Sequence, residues 1–249
     1  MVLLSDWLTP PVIYERWDCD WPDDVIFDDR SNVLELVPQE TKALCIGKMH
    51  QGLDLEQLTS MVFLHTFEMS QDLFDQISLC TSLKHLRVAG KKPLANLNTE
   101  AEYLSFSSCK KLENFSFFKA DPQKVKGIGL SECFAVESLD QLKEFCNLSE
   151  LYIDGTVTGK RSKFESLESL SRFPNLEYLG IAASLTDTSL QPLHGLSKLK
   201  RLWIPCSKKA KENDLVDLLA KCKYLDEIEL GLKTFRRGVG FVKRDVLED

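Results

Sequence analysis

Apolar residues recur along the chain in one figure, apolar-x-x-apolar-x-apolar. The clear copies are LHTFEM (64–69), LKHLRV (83–88), LENFSF (112–117), LSELYI (148–153), LEYLGI (176–181), LKRLWI (199–204) and LDEIEL (225–230). Weaker copies are TKALCI (41–46), AEYLSF (101–106) and VKGIGL (125–130). The second half of each figure alternates with a period of two, as a strand does. Six copies are preceded by apolar residues nine, six and three places before their first apolar position. These triplets are Leu55/Leu58/Met61, Phe74/Ile77/Cys80, Leu139/Leu142/Phe145, Leu167/Leu170/Phe173, Leu190/Leu193/Leu196 and Val216/Leu219/Cys222. Such a stripe runs along one helix face, so each unit predicts a short helix, a turn and a short strand.

One unit cannot bury its own apolar face, but stacked copies share a continuous core. The expected fold class is therefore α/β: a repeat solenoid with a concave parallel β-sheet and convex helices. Distances between the last apolar residues of successive strands are 23, 19, 18, 11, 13, 23, 28, 23 and 26 residues. The values 11 and 13 leave no room for a helix, which predicts an irregular, helix-poor middle over residues 90–131. Terminal units would expose core without covers. Residues 1–40, with Trp7, Trp17 and Trp21 interspersed with Pro10, Pro11 and Pro22, are expected to form an acidic, Trp-containing N-terminal cap of irregular chain. The solenoid spans 41–232, and 233–249 is a C-terminal cap or tail that contains a closing strand or hairpin.

These segments resemble the leucine-rich-repeat family. LTDTSLQPLHGLSKLKRLWI (185–204) and DLVDLLAKCKYLDEIEL (214–230) look like its cysteine-containing subtype, in which a Cys or other apolar residue stands three places before the first Leu. Cys80, Cys109 and Cys222 occupy that place. The resemblance covers about residues 41–232 and implies the scaffold, not an activity. The chain departs from the regular pattern in lacking an Asn just after the strand.

Composition narrows the class. No apolar run approaches the ~20 residues of a membrane span. The first residues lack a basic region and a small-residue cleavage site, so a cytoplasmic protein without membrane contact is expected. Eight cysteines are scattered with no C-x-x-C pair, and four histidines show no ligand spacing. That pattern predicts reduced, buried thiols and no metal. A net charge of −7 argues against a nucleic-acid partner. Residues 1–30 alone carry −6, which also allows that segment to be a docking arm for a basic partner.

Candidate chemistry is thin. GTVTGKRS (155–162) departs from the phosphate-loop pattern at both the glycine spacing and the Lys–Ser step. No nucleophile–base set stands out and no cofactor is expected. An enzyme or phosphate binder working through the 154–163 and 205–213 loops, the latter holding Lys208, Lys209 and Lys211, is the alternative from another class.

Alternation instead picks out a surface. Residues flanking the inward pairs face outward on the concave sheet. The rows are Thr66 and Glu68; His85 and Arg87; Tyr103 and Ser105; Asn114 and Ser116; Gly127 and Gly129; Glu150, Tyr152 and Asp154; Tyr178 and Gly180; Arg201 and Trp203; Glu227 and Glu229. Tyr152, Tyr178 and Trp203 with Arg201 are residue types enriched at binding hot spots, ringed here by Glu150, Glu227 and Glu229. The expectation is a non-catalytic, monomeric scaffold that binds another protein on this face. His85, Arg87 and Tyr103 form its outer part. A toxin-neutralising protein of immunity type or a ubiquitin-ligase-adaptor-like recognition protein are narrower versions of the same idea.

Overall fold

The computed structural model describes residues 26–28, 42–46, 55, 60–67, 69–154, 161–205, 212–230 and 233–243. The chain is an α/β leucine-rich-repeat solenoid. Ten strands of its main sheet run parallel: β1 Ile26–Asp28, β2 Ala43–Ile46, β3 Phe63–Thr66, β4 His85–Ala89, β5 Tyr103–Ser107, β6 Gly127–Ser131, β7 Glu150–Asp154, β9 Tyr178–Ile181, β11 Arg201–Ile204 and β12 Glu227–Leu230. They pair in chain order, and β13 Lys233–Arg236 and β14 Gly240–Lys243 close the far end as an antiparallel hairpin. The two short strands β8 Lys163–Phe164 and β10 Ser184–Leu185 form a separate parallel pair. At the near end, Ile26–Asp28 adds a parallel strand beside β2, within the segment expected to form the N-terminal cap. Trp7, Trp17 and Trp21 lie outside the described residues.

The strands align without slippage. Leu86, Leu104, Ile128, Leu151, Leu179, Leu202 and Ile228 pair in one row, and Val88, Phe106, Leu130 and Ile153 in the next. All are buried in a single core that runs the length of the array. Each fully buried Leu or Ile contributes about 1.5–3 kcal/mol. The entries to β3–β7, β9, β11 and β12 are fixed by a repeated bifurcated bond. The amides of Lys84 and His85 both donate to the Val62 carbonyl, those of Glu102 and Tyr103 to Lys84, and those of Lys126 and Gly127 to Glu102. The same geometry continues through Lys126, Ser149, Glu177 and Lys200 as acceptors.

Side chains at that entry position alternate in charge. Glu102 lies 3.6 Å from Lys84 and 2.7 Å from Lys126, and Lys200 lies 2.5 Å from Glu177. Partial burial alone would raise the Glu102 pKa, but the Lys126 and Lys84 ammonium groups outweigh it and hold the carboxyl below its usual range.

Two sequence expectations need correction. The first concerns the convex side, where the described α-helices are α1 Gln71–Ile77 and α2 Glu212–Lys221. Elsewhere the convex stretches are 3₁₀ turns at Pro122–Lys124, Leu139–Leu142, Glu168–Arg172 and Gln191–Gly195. Strict steps of three are the period of a 3₁₀ helix, whose residues i and i+3 eclipse. Leu167/Leu170/Phe173 and Leu190/Leu193/Leu196 accordingly point straight into the core. Within α2 the true 3.6 period applies, so Leu215, Leu218 and Cys222 are buried while Val216 is 60% exposed.

The second correction is the middle. LENFSF is not a strand: Asn114 and Ser116 are exposed in a turn, and β5 pairs directly with β6. Phe106 and Leu130 are thus ends of one ordinary 24-residue unit. Aromatic rings take the place of its missing helix. Phe115 meets Phe145 edge-on at 5.3 Å, and Phe106 meets Phe115 and Phe117 at 5.8 and 5.6 Å.

The cysteines are placed as small apolar groups. Cys80, Cys109, Cys133 and Cys222 are buried free thiols. Each donates a weak bond to an earlier unit, Cys80 to the Leu55 carbonyl (3.4 Å), Cys109 to Val88 (3.7 Å), Cys133 to Phe106 (3.3 Å) and Cys222 to Leu193 (3.5 Å).

This register makes a contrast that urea unfolding can measure. Leu179→Ala, in the core row, is expected to cost about 2–5 kcal/mol. Ser116→Ala, in the exposed turn, is expected to change stability by no more than about 0.5 kcal/mol.

Candidate functional site

The concave face carries two rows of outward residues. The first runs Phe63, His85, Tyr103, Gly127, Glu150, Tyr178, Arg201, Glu227, and the second His65, Arg87, Ser105, Gly129, Tyr152, Gly180, Trp203, Glu229. The expected pair Thr66 and Glu68 was displaced by a slip of three residues. Met61, not Leu64, is the first apolar position of that unit, since Leu64 pairs with Leu86 and Thr66 with Val88. Thr66 therefore points into the core and is fully buried, while Glu68 lies outside the described residues. The slip concealed Phe63 and His65. Reading MVFLHT with Thr66 as the last inward residue would have found both; a threonine in an otherwise apolar column hid them.

The rings on this face form an aromatic floor. His85 stacks on Tyr103 with centroids 4.8 Å apart and planes 10° apart, and Phe63 lies 6.4 Å from His85. Tyr152 and Trp203 stack at 5.2 Å and 9°. These two rings come from strands separated by β9, a distance of ~9.6 Å at the usual strand spacing. They meet because the residue between them is Gly180. A Cβ there would lie 2.5 Å from Tyr152 Cδ2 and 3.2 Å from Trp203 Cε3. Tyr103 and Tyr152 likewise belong to one cluster across the strand that carries Gly127 and Gly129.

The floor is less exposed than alternation predicts. Tyr103 and Tyr152 each retain only 8% exposure, His85 4% and Glu150 1%. Four of the ten candidate residues are thus buried, and Tyr103 and Tyr152, with Trp203 packed against them, form a second, smaller core on the concave side. Burial raises the Tyr103 pKa, with Glu150 adding to it, and burial also raises Tyr178. Burial pushes His85 down to about 4, Glu102 and Lys84 acting in opposite directions. Burial, with Arg87 adding to it, pushes His65 down to about 3.

The half-exposed members gather at the far end. Tyr178, Arg201 and Glu227 pair across β9, β11 and β12, with Trp203 beside Glu229. The Lys200 ammonium sits 5.9 Å from the centre of the Tyr178 ring. Arg236 pairs with Glu227 at 3.3 Å, and Arg237 donates to the carbonyls of Leu225 and Cys222 at 3.1 Å each, tying the hairpin to the last unit. A cleft of about 390 Å³ opens here between Tyr178, Lys200, Arg201, Asp226, Glu227, Arg236, Arg237 and Val239. Arg87 is half-exposed at the opposite end, beyond the buried rings.

Among the described residues, no group of three or more His, Cys, Asp or Glu side chains is placed to hold a metal ion. No described helix is long and apolar enough to cross a membrane. Residues 155–160 and 206–211, which include most of both candidate loops, lie outside the described residues.

No family model matches the chain, and no curated protein matches it. Among solved structures, it is similar to an internalin (inlF) of Listeria monocytogenes, with 13% identity and a TM-score of 0.42 over 75% of this chain and 68% of that one. It is also similar to internalin C2 of the same organism, with 16% identity and a TM-score of 0.40 over 75% and 80%.

Two outcomes follow from the floor. Gly180→Ala is expected to push the Tyr152 and Trp203 rings apart at a cost of about 1–3 kcal/mol, read as a lower melting temperature with altered near-ultraviolet circular dichroism. The histidines predict acid sensitivity. Unfolded histidine takes up its proton near pH 6.5, whereas folded His85 resists it down to about 4. The native state therefore carries no penalty above 6.5 and loses stability as pH falls from 6.5 toward 4, by about 2 kcal/mol at pH 5. His85→Phe should remove that share of the loss when unfolding free energies at pH 7.5 and 5 are compared.

Proposed function

We propose that the chain is a non-catalytic interaction scaffold that captures a partner protein on the concave face of β7, β9, β11 and β12. The observation that carries this reading is the pinned Trp203, half-exposed and stacked on buried Tyr152. A ring already held in place gives up little freedom on binding, so the area it buries is converted to affinity at low cost. Tyr178 and Arg201 adjoin it, and the charges of Glu227, Glu229 and Lys200 surround them, the apolar-centre, polar-rim arrangement of protein interfaces.

In this reading the buried residues His85, Tyr103, Glu150 and Tyr152 position the contact surface instead of touching the partner. The protein acts as a cytoplasmic monomer of the cysteine-containing leucine-rich-repeat kind. Neutralisation of a basic toxin and service as a ligase adaptor remain narrower forms of the proposal, and no described feature prefers either.

The test is affinity capture from the native host with the intact chain, followed by titration of whatever partner is retained. Trp203→Ala and Tyr178→Ala should each weaken binding by tenfold or more. Trp203→Ala also loses its stack on Tyr152 and should melt lower, whereas Tyr178→Ala should melt near the parent value and so separates lost contact from lost fold. Undiminished affinity in both variants would exclude this face.

A further inference from the structure

Two thiols in the middle of the core stand in equivalent places of adjacent units. Cys109 and Cys133 each follow a strand end by two residues, and those ends, Ser107 and Ser131, are register partners. The intervening Ser108 and Glu132 both adopt φ 55°, so the two chains turn in the same way. The Ser108 amide donates to the Ser131 carbonyl at 2.8 Å, and the Ser108 hydroxyl to the Glu132 carboxylate at 3.0 Å, which holds the two bends together. Equivalent residues on neighbouring parallel strands lie ~4.8 Å apart. That separation falls inside the roughly 4.4–6.8 Å between Cα atoms that a disulfide spans.

The side chains complete the geometry. Each sulfur also lies close to the carbonyl two residues behind it, 3.5 Å for Cys109 and 3.3 Å for Cys133, so both side chains point the same way. The two thiols also act on one another electrostatically: the neighbouring Cys133 holds the Cys109 thiol below its ordinary range, and Cys109 together with burial pushes Cys133 up. The Cys80 sulfur lies against the Leu55 and Gln76 carbonyls, and the Cys222 sulfur against that of Leu193.

We propose that Cys109 and Cys133 form a reversible disulfide that staples the fifth and sixth parallel strands, with a small-molecule disulfide as the oxidant. The Cys109 thiolate attacks one sulfur of that disulfide, breaking its S–S bond and releasing one small thiol. Cys133 then loses its proton and attacks the Cys109 sulfur of the mixed disulfide, releasing the second small thiol. Two protein thiols are oxidised and one external disulfide is reduced to two thiols. Entry requires local opening of the covering segment 110–126, which is built from turns with one short 3₁₀ stretch and no α-helix.

The experiment incubates the native full-length chain in mixtures of oxidised and reduced glutathione, traps remaining thiols by alkylation, and maps the peptides. The expected result is a peptide joining Cys109 to Cys133, a mass loss of two hydrogens, and the other six cysteines alkylated. Added reductant should reverse it, and the oxidised protein should melt several degrees higher. Cys109→Ser and Cys133→Ser should each abolish the internal bond and leave a single glutathione adduct on the remaining thiol. Recovery of both cysteines alkylated at every ratio would overturn the proposal. So would a bond joining other cysteines, or one that forms only in denaturant.

Discussion

The array depends on one backbone constraint, the bifurcated bond by which each parallel strand from β3 to β12 in the main sheet enters it. Because two successive amides share one carbonyl of the preceding unit, the next strand has a single register open to it. That register decides which residues reach the core and which reach the concave face. The convex side is not so constrained. Its segments need only return the chain over the core, and they do so as α-helix, 3₁₀ turn or aromatic-filled loop according to length and period. Stability in such an array is close to a sum of unit and neighbour terms. A change in one convex segment is therefore absorbed locally, whereas a change in register would reach every later unit.

The concave face follows from the same constraint in a less expected way. Parallel strands in register bring every outward side chain into line with its neighbours, and on most sheets that leaves a solvated surface. Here glycines at 127, 129 and 180 leave gaps in the line, and rings from the flanking strands lean across them. The result is a small aromatic core on what would otherwise be the open side. It stiffens the middle of the sheet and leaves the second half to present its half-exposed aromatics from a fixed base.

Much of this was legible in the sequence. The x-Leu-x-Ile figure located β4–β7, β9, β11 and β12, except where LENFSF imitated it. Parity put the outward rows of those strands on the correct face, whereas Asn114 and Ser116 fall in a turn and β8 and β10 carry no such figure. Three things were not legible, each for a physical reason. Steps of three were read as a drifting α-helical stripe, although they match a 3₁₀ helix better. Thr66 in an apolar column shifted the frame of one unit and hid His65. The burial of Tyr103, Tyr152 and Glu150 depends on contacts two strands apart, and no local pattern encodes those.

The alternating charges at the strand entrances carry a consequence for how such an array can change length. Glu102 is flanked by Lys84 and Lys126, and Lys200 by Glu177 and Asp226. Excising the single unit that begins at Glu102 would set Lys84 against Lys126, and excising the one at Lys200 would set Glu177 against Asp226. Removing two neighbouring units together from Glu102 would instead bring Lys84 beside neutral Ser149. The ladder thus limits where a unit can be lost. The middle of either charged run cannot go without setting like charges together, whereas excising the Ser149 unit between the runs would set Lys126 against Glu177, an attractive pair.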